Sequence, residues 1–127
     1  MSHDKRWNPE TLAVHGGEPR PLKDGAVVMP IYQSSTYLTG EGGRYGALKY
    51  IRLNNTPNHD ATAAKIAALE GTEKALLTAS GMGAITTAIL ANLDKGDHVI
   101  AQDCLYGGTR EFLQSEGPRL GFETTFV

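Results

Sequence analysis

The 127-residue chain has little cysteine, little net charge and few aromatic residues. Cys104 is the only cysteine, so no disulfide can form within the chain and nothing indicates an oxidising compartment. A formal net charge of -2 gives no electrostatic reason to expect nucleic acid as a partner. The polar amino terminus leads into no long apolar run, so neither a signal peptide nor a membrane-spanning helix is predicted. We therefore expect a cytoplasmic protein with no nucleic-acid or membrane partner.

The remaining composition is that of an ordinary folded protein, apart from an excess of glycine. Hydrophobic residues make up 40% and charged residues 20% of the chain, so neither a disordered nor a fibrous class is indicated. The histidines show none of the spacings that metal ligands use, so no metal site is expected. They are His3, His15, His59 and His98.

Residues 1–58 carry most of the turn-forming residues. Five of the six prolines, the pair Gly16-Gly17 and the cluster from Gly40 to Gly43 all fall in this part of the chain. Because glycine and proline interrupt helices and strands, regular structure should be sparse here. We predict an extended amino-terminal arm over residues 1–58, which needs another surface to rest on.

Residues 59–127 alternate between helical and strand patterns. The expected elements are a helix from about His59 that is capped by Asn58 and stopped by Gly71, a strand over 74–78, a helix that follows the loop 79–83, a strand over 98–101, a helix over 107–115 and a strand over 122–127. Such alternation implies crossover connections and a mainly parallel sheet covered by helices. We predict an α/β protein that is truncated, because three strands leave the apolar faces of such a sheet uncovered.

The small-residue loop Ala79-Ser80-Gly81-Met82-Gly83 lies between a predicted strand and a predicted helix. Free backbone N-H groups and the helix dipole at such a position favour an anion, for example a phosphate. Gly81 and Gly83 leave room for close approach, and Ser80 could donate a hydrogen bond or cap the helix. The loop lacks the third glycine of a dinucleotide fingerprint and the Gly-Lys-Ser/Thr of a nucleotide loop. A tight turn without any ligand is the alternative.

Two further patterns could complete a ligand site. Tyr50 and Arg52 are two residues apart in a segment predicted to be extended, so their side chains should project to the same side. A guanidinium and a phenol could grip one phosphate, although a solvated surface pair also explains the spacing. Tyr106 follows a predicted strand and should lie at the carboxyl end of the sheet, where parallel sheets bind ligands. Its ring could stack on a flat cofactor or pack on its own domain.

Five motifs follow one another in a fixed order along nearly the whole chain. They are TLAVHGG at 11–17, PIYQSSTY at 30–37, AALEG at 67–71, ASGMGAI at 79–85 and GD at 96–97. Together with Tyr50, Arg52 and Tyr106, this ordered set resembles the amino-terminal portion of the cystathionine synthase/lyase family, the transsulfuration group of pyridoxal-phosphate-dependent enzymes.

The resemblance implies that the chain binds pyridoxal 5'-phosphate (PLP). Gly81 and Met82 would bind the cofactor phosphate through their backbone N-H groups, with Ser80 in the same loop, and Tyr106 would stack on the pyridine ring. It also implies an aspartate aminotransferase-like large domain, of which residues 59–127 would be the incomplete start.

The resemblance further implies a shared site in a homo-oligomer. Tyr50 and Arg52 would reach the phosphate of a neighbouring subunit, which agrees with the arm predicted over residues 1–58. Enzymes of this family are commonly tetramers built from dimers that share active sites, and their substrates are amino acids.

The chain departs from the family pattern in two places. The turn Asn55-Thr56-Pro57-Asn58 is one residue longer than the family's usual Asn-Pro-Thr turn, which leaves the subgroup open. Where methionine gamma-lyases carry a reactive cysteine shortly after the stacking tyrosine, this chain has Gly108, which disfavours that activity. Cys104 precedes the tyrosine and is expected to be an inert buried thiol.

By the same resemblance, the lysine that forms a Schiff base with the cofactor lies beyond Val127, so we expect no catalytic residue in this chain. Lys65, Lys74 and Lys95 lie outside the family's lysine context. The chain is expected to be an inactive fragment of a lyase or transferase of the cystathionine gamma-synthase or cystathionine beta- or gamma-lyase type. Such enzymes act on sulfur amino acids or homoserine esters.

Two alternatives of other classes stay open at this point. A Rossmann-like nucleotide-binding module is supported only by Gly81 and Gly83, because the full fingerprint is missing. A non-catalytic subunit of a split enzyme would lend Tyr50 and Arg52 to a longer partner.

Overall fold

The computed structural model describes residues 7–39 and 48–127, which form two compact units, one up to Leu77 and one from Thr78 onward. The first unit contains helix α1 (Pro9–His15) and helix α2 (Pro57–Glu70), with short 3-10 turns at Lys23–Gly25 and Ile51–Leu53. The second contains helix α3 (Gly81–Leu90), strand β1 (His98–Ala101), helix α4 (Gly107–Glu111), a π-helical turn (Phe112–Glu116), helix α5 (Gly117–Leu120) and strand β2 (Glu123–Phe126).

Helix α1 lies in the part of the chain for which the sequence predicts little regular structure. Asn8 caps it, because the Asn8 Oδ1 accepts a hydrogen bond from the Thr11 N-H at 2.9 Å. Pro9 occupies the first helical position and Glu10 places a negative charge in the first turn. The prediction is therefore wrong at α1, and the sequence Asn-Pro-Glu was the signal of a helix start.

Helix α2 begins at Pro57, two residues before the predicted start at His59, and its capping position is Thr56 rather than Asn58. Thr56 is fully buried, and its Oγ1 lies 2.7 Å from the His59 Nδ1. Asn58 instead holds the backbone of Tyr32: its Nδ2 donates to the Tyr32 carbonyl at 2.6 Å and its Oδ1 accepts from the Tyr32 N-H at 3.0 Å. The side chain that sequence reasoning assigned to a cap therefore fixes a distant extended segment.

Helices α1 and α2 pack together, and the chain that follows α1 approaches the α2 backbone very closely at Gly17. A Cβ on Gly17 would lie 2.3 Å from the Ala64 carbonyl carbon, and the residue has a φ of +70°. Only glycine fits both conditions. Helix α2 ends at the left-handed Gly71, as predicted. The buried apolar side chains of this unit are Leu22, Ala67 and Ala68.

Strands β1 and β2 pair in parallel, in a register that runs from His98 opposite Glu123 to Ala101 opposite Phe126. The chain between them passes through the helical run that begins at Gly107. A helical crossover between parallel strands is what the alternating pattern predicts.

The helical run between the strands is longer than the predicted 107–115, because the π-helical turn carries it into α5 until the left-handed Gly121 ends it. Leu113 and Phe122 form the apolar core of this unit, and the Thr109 side chain is also buried. The Phe122 ring packs directly on Gly117, where a Cβ would come within 2.8 Å of a ring carbon.

The strand predicted over residues 74–78 is not formed. This segment has no strand partner within the described part of the chain, and its central Leu76 is 67% exposed. An extended segment becomes a strand only when a neighbour supplies backbone partners, which sequence patterning alone does not show.

One face of the β1–β2 pair is uncovered by the described residues. His98 and Ile100 are exposed on it, Ile100 by 71%, whereas Val99 and Ala101 on the other face are partly buried. Parallel sheets are normally covered on both faces, so this face is available for packing.

Candidate cofactor site

The start of helix α3 offers unpaired backbone donors. Ser80 is the capping residue: its Oγ accepts from the Gly83 N-H at 2.9 Å and its carbonyl accepts from the Ala84 N-H at 3.0 Å. No acceptor among the described residues takes the N-H groups of Gly81 and Met82. Two free donors at the positive end of a ten-residue helix form a suitable place for a phosphate.

The two glycines of this loop have different tasks. A Cβ on Gly81 would meet nothing within 4 Å, so no protein atom crowds that side of the residue. A Cβ on Gly83 would lie 3.1 Å from the Ser80 Oγ, so Gly83 makes room for the cap rather than for a ligand. That the glycines leave room for an anion stays a prediction, since these distances involve protein atoms alone. The Ser80 hydroxyl hydrogen remains available, because its oxygen acts as an acceptor in the cap.

Tyr106 lies at the end of the loop that follows strand β1, and its side chain is close to Met82. Tyr106 is 73% exposed, so its ring presents a face to incoming ligands. A Cβ built on Gly108 would lie 2.8 Å from the Tyr106 Cε1 and 3.3 Å from the Met82 Sδ. The Thr109 Oγ1 also reaches the Met82 Sδ at 3.7 Å. The unit from Thr78 onward therefore brings the free donors of α3 and an exposed aromatic ring together.

Tyr50 and Arg52 lie in the other unit and form a pair of their own. Tyr50 is extended, as predicted, but Arg52 lies in the 3-10 turn that begins at Ile51, so the prediction of an extended segment through both residues is wrong. The turn nevertheless brings the side chains together. The Arg52 guanidinium donates to the Tyr50 hydroxyl and lies 5.0 Å from the centre of its ring. The phenol accepts from arginine and keeps its own O-H free, so the pair presents several donors to one anion.

Sequence reasoning missed the asparagine that holds Tyr50 in place. The Asn55 Oδ1 accepts from the Tyr50 N-H at 2.9 Å, and its Nδ2 donates to the Leu48 carbonyl at 2.7 Å. The Tyr50 backbone is also bridged to Thr36. The run of asparagines after Arg52 was the available signal, because asparagine side chains often bind nearby backbone groups.

The other candidate residues have simpler environments. Cys104 is exposed, so the prediction of a buried thiol is wrong. The Lys65 Nζ donates to the Val14 carbonyl at 2.7 Å and pairs with the largely buried Glu18 carboxylate at 3.2 Å. In the described ranges 7–39 and 48–127, no group of three or more His, Cys, Asp or Glu residues could hold a metal ion. No helix in these ranges has the length and apolar character needed to cross a membrane.

Comparison with known proteins decides the family. The family model described as "Cys/Met metabolism PLP-dependent enzyme" matches residues 10–127. The chain belongs to this family. The resemblance found in the sequence motifs is thereby confirmed, and PLP is the cofactor of the family. The match does not support a dinucleotide-binding module.

Two curated members of the family show how far the similarity extends. The chain is 42% identical to cystathionine gamma-lyase of Bacillus subtilis (strain 168) over 118 residues, which cover 93% of this chain and 31% of the relative. It is 41% identical to L-methionine gamma-lyase of Fusobacterium nucleatum subsp. polymorphum over 131 residues, which cover 97% of this chain and 33% of the relative. The chain thus spans about a third of the length of the curated relatives it matches.

A solved structure has a similar fold. The crystal structure of metB from Corynebacterium glutamicum aligns with a TM-score of 0.84 and 29% sequence identity, over 96% of this chain and 32% of that chain. The predicted α/β class with a parallel sheet is confirmed as a partial α/β structure of this PLP-dependent family.

Proposed function

We propose that the complete protein is a PLP-dependent lyase or transferase that acts at the beta or gamma carbon of sulfur amino acids or homoserine esters. Membership in the family and the names of its relatives, which include cystathionine gamma-lyase and a probable cystathionine gamma-synthase, support this class of substrate. PLP supplies an electron sink for carbanions when it is bound, and the protein supplies orientation and charge.

The observation that carries the proposal is the pairing of free helix donors with an exposed ring in one unit. The N-H groups of Gly81 and Met82 would hold the dianionic phosphate, and the Ser80 hydroxyl would donate a third hydrogen bond. The Tyr106 ring would stack on the flat pyridine ring, for which its 73% exposure leaves room. The residues present therefore fit a ligand that joins a phosphate to an aromatic ring.

Tyr50 and Arg52 are proposed to bind the phosphate of a neighbouring subunit in a homo-oligomer of dimers, in our proposal a tetramer. Their side chains already contact each other, so little further side-chain entropy would be lost when they bind the phosphate. Residues 1–58 would form the arm that delivers them. The extended part of this arm exposes apolar side chains that could pack against the surface of another subunit. They are Val27, Val28, Ile31 and Leu38.

We further propose that the lysine that holds the cofactor is not one of those in residues 1–127. Lys65 is engaged by the Glu18 carboxylate and the Val14 carbonyl, and Lys95 lies in a turn where its stem packs on Gly121. These 127 residues alone would then be inactive. A cytoplasmic location is proposed with this function, on the grounds of the single cysteine and ordinary composition.

The phosphate cradle can be tested by Gly81→Pro, with Gly81→Ala as the matched control. Proline is tolerated at the first position of a helix and follows an extended residue well, and Ser80 is extended at a φ of -159°. The substitution therefore removes one donor N-H while α3 is kept. Loss of a hydrogen bond to a charged group predicts roughly tenfold weaker PLP binding or more. Gly81→Ala keeps the N-H and adds a Cβ that meets no protein atom within 4 Å, so this variant should bind PLP more tightly than Gly81→Pro.

The measurement is an absorbance titration of the complete protein with PLP. A wild-type protein that does not bind PLP, or a Gly81→Pro variant that binds as tightly as Gly81→Ala, would contradict the proposal. Mixing Gly81→Pro subunits with Arg52→Ala subunits tests the shared site. Hybrids should regain activity if Arg52 serves a neighbour, because one site of the hybrid then carries neither change.

A further inference from the structure

The Arg110 guanidinium makes three contacts with the loop and strand that precede and follow it. Its Nη1 donates to the Asp103 carbonyl oxygen at 3.0 Å and also to the Asp103 carboxylate. Its guanidinium carbon lies 4.7 Å from the centre of the Phe126 ring, at the end of β2. Arg110 therefore fastens the start of the β1–α4 loop to the first helix after it.

These contacts close the loop that carries Tyr106. Asp103 lies three residues before Tyr106 and Arg110 lies four residues after it, so their contact ties together the two sides of the loop. The Asp103 N-H donates to the Val127 carbonyl at 2.7 Å, and the Leu105 N-H donates to the Asp103 carbonyl at 3.1 Å. The Asp103 backbone is thus the point at which strand, loop and helix are joined.

Tyr106 needs such support because little else in its unit holds it. Its side chain is 73% exposed, so core packing does not fix its direction. Its carbonyl accepts from the N-H groups of Thr109 and Arg110 at 2.9 and 3.0 Å, which sets its position at the start of α4. The direction of the ring then depends on the conformation of the loop on its amino-terminal side.

We infer that Arg110 is a positioning residue for Tyr106: it fixes the conformation of residues 103–106 so that the ring is already aligned when the cofactor arrives. The inference rests on the proposed function, in which Tyr106 stacks on the cofactor ring. If the Tyr106 ring is already oriented, less conformational entropy is lost when the cofactor binds. In this way a residue that does not touch the ligand contributes to its affinity.

A purely structural role is the competing explanation. The Asp103 side chain is 68% exposed and that of Arg110 is 41% exposed, and ion pairs of this exposure contribute little to stability. A stabilising surface contact would lower the urea midpoint slightly and would act on cofactor binding in the same way whether or not Tyr106 is present. The positioning role predicts that the effect on binding passes through Tyr106.

A double-mutant cycle on the complete protein separates the two roles. PLP affinity is measured by absorbance titration for the wild type, Arg110→Ala, Tyr106→Ala and the double variant, with Arg119→Ala as the matched control. Arg119 is also a surface arginine of the same unit, paired with Glu116 and 75% exposed, but it has no contact with the loop. Asp103→Asn serves as a second variant should Arg110→Ala fail to fold.

The expected result is that Arg110→Ala weakens PLP binding roughly threefold to tenfold, the combined value of an exposed ion pair and a cation-π contact. Arg110→Lys should recover part of this loss, because it keeps the charge but not the planar fork. Arg119→Ala should leave the affinity unchanged. In the Tyr106→Ala background, Arg110→Ala should have no further effect. An unchanged affinity in Arg110→Ala, or an equal loss in both backgrounds, would overturn the inference.

Hydrogen exchange at the Leu105 amide gives a readout that does not need the cofactor. Exchange should be faster in Arg110→Ala or Asp103→Asn than in the wild type and Arg119→Ala, because the loop is no longer tied. Equal exchange in all four proteins would overturn the inference. If the wild type fails to bind PLP, the proposed function fails, and the exchange result still decides whether Arg110 holds the loop.

Discussion

The two units hold their extended segments by different means, asparagine side chains in the unit up to Leu77 and backbone pairing between strands in the unit from Thr78 onward. In the first unit, Asn55 binds the Leu48–Tyr50 segment and Asn58 binds both backbone groups of Tyr32. In the second unit, β1 and β2 exchange backbone hydrogen bonds along a continuous parallel register.

The difference shows where each unit is sensitive to substitution. A backbone ladder tolerates most changes of side chain, because its bonds do not depend on residue type. A segment held by single side chains depends on each of those residues. Substitutions at the asparagines and the close glycine of the first unit should therefore cost more than similar substitutions in the second.

The largest effect is expected for Gly17→Ala. The new Cβ would overlap the Ala64 backbone and the residue would have to keep a φ of +70°, so we expect the free energy of unfolding to fall by about 3 kcal/mol. Gly25→Ala is the matched control: its φ is +74°, but its Cβ would meet nothing within 4 Å. Strain alone should cost it about 1 kcal/mol. Urea titration of the complete protein measures both, and equal losses would show that the close approach to α2 is unimportant.

A smaller loss is expected for Asn58→Ala. It removes both hydrogen bonds to Tyr32, which predicts a loss of about 2 kcal/mol in the free energy of unfolding. Asn92→Ala removes one exposed bond, from the Asn92 Nδ2 to the Ala88 carbonyl, in the other unit. Its cost should stay near 0.5 kcal/mol. The contrast between the two units would be refuted by an Asn92→Ala variant that loses as much stability as Asn58→Ala.

The smallest effect is expected at Gly108. A Cβ there would lie 2.8 Å from the Tyr106 Cε1, and the exposed ring can turn aside at a cost of about 0.7 kcal/mol, which is a factor of about three in PLP affinity. Gly107→Ala is the control, because its Cβ would meet nothing within 4 Å. Absorbance titration with PLP compares the two variants. If Gly107→Ala weakened binding as much as Gly108→Ala, the contact with Tyr106 would not be the cause.

Sequence patterning predicted the unit from Thr78 onward better than the unit up to Leu77. Strand β1 is formed over the predicted residues, since His98–Ala101 is a short run between turn residues. Ser80 caps α3, one of the two roles considered for it, although the helix begins at Gly81, inside the predicted loop 79–83. The failure at 74–78 involves a strand neighbour that the pattern does not show. The failures at α1 and at the Thr56 start of α2 are different, because Asn8-Pro9 and Thr56-Pro57 were local signals of a helix start that were not used.

The residues of the candidate site could be proposed from the sequence, but the residues that hold them in place could not. Glycine, tyrosine and arginine carry recognisable chemistry, so Gly81, Tyr106 and Arg52 could be selected from the sequence. Asn55 and Arg110 could not, because each acts by holding the backbone next to another residue. Such a role depends on three-dimensional proximity, which residue type alone does not reveal.

Met82 contributes to both parts of the candidate site. Its backbone N-H lies at the start of α3, where we propose that the phosphate binds, while its sulfur lies 3.3 Å from the position that a Cβ on Gly108 would take, beside the Tyr106 ring. Within the proposed function, the distance between these two groups of Met82 would set the distance between the bound phosphate and the Tyr106 ring. Free phosphate would then contact only the α3 donors, and an unphosphorylated ring would contact only Tyr106. A molecule that joins a phosphate and a ring at the matching distance would make both contacts within one complex. It would therefore bind more tightly than either part alone.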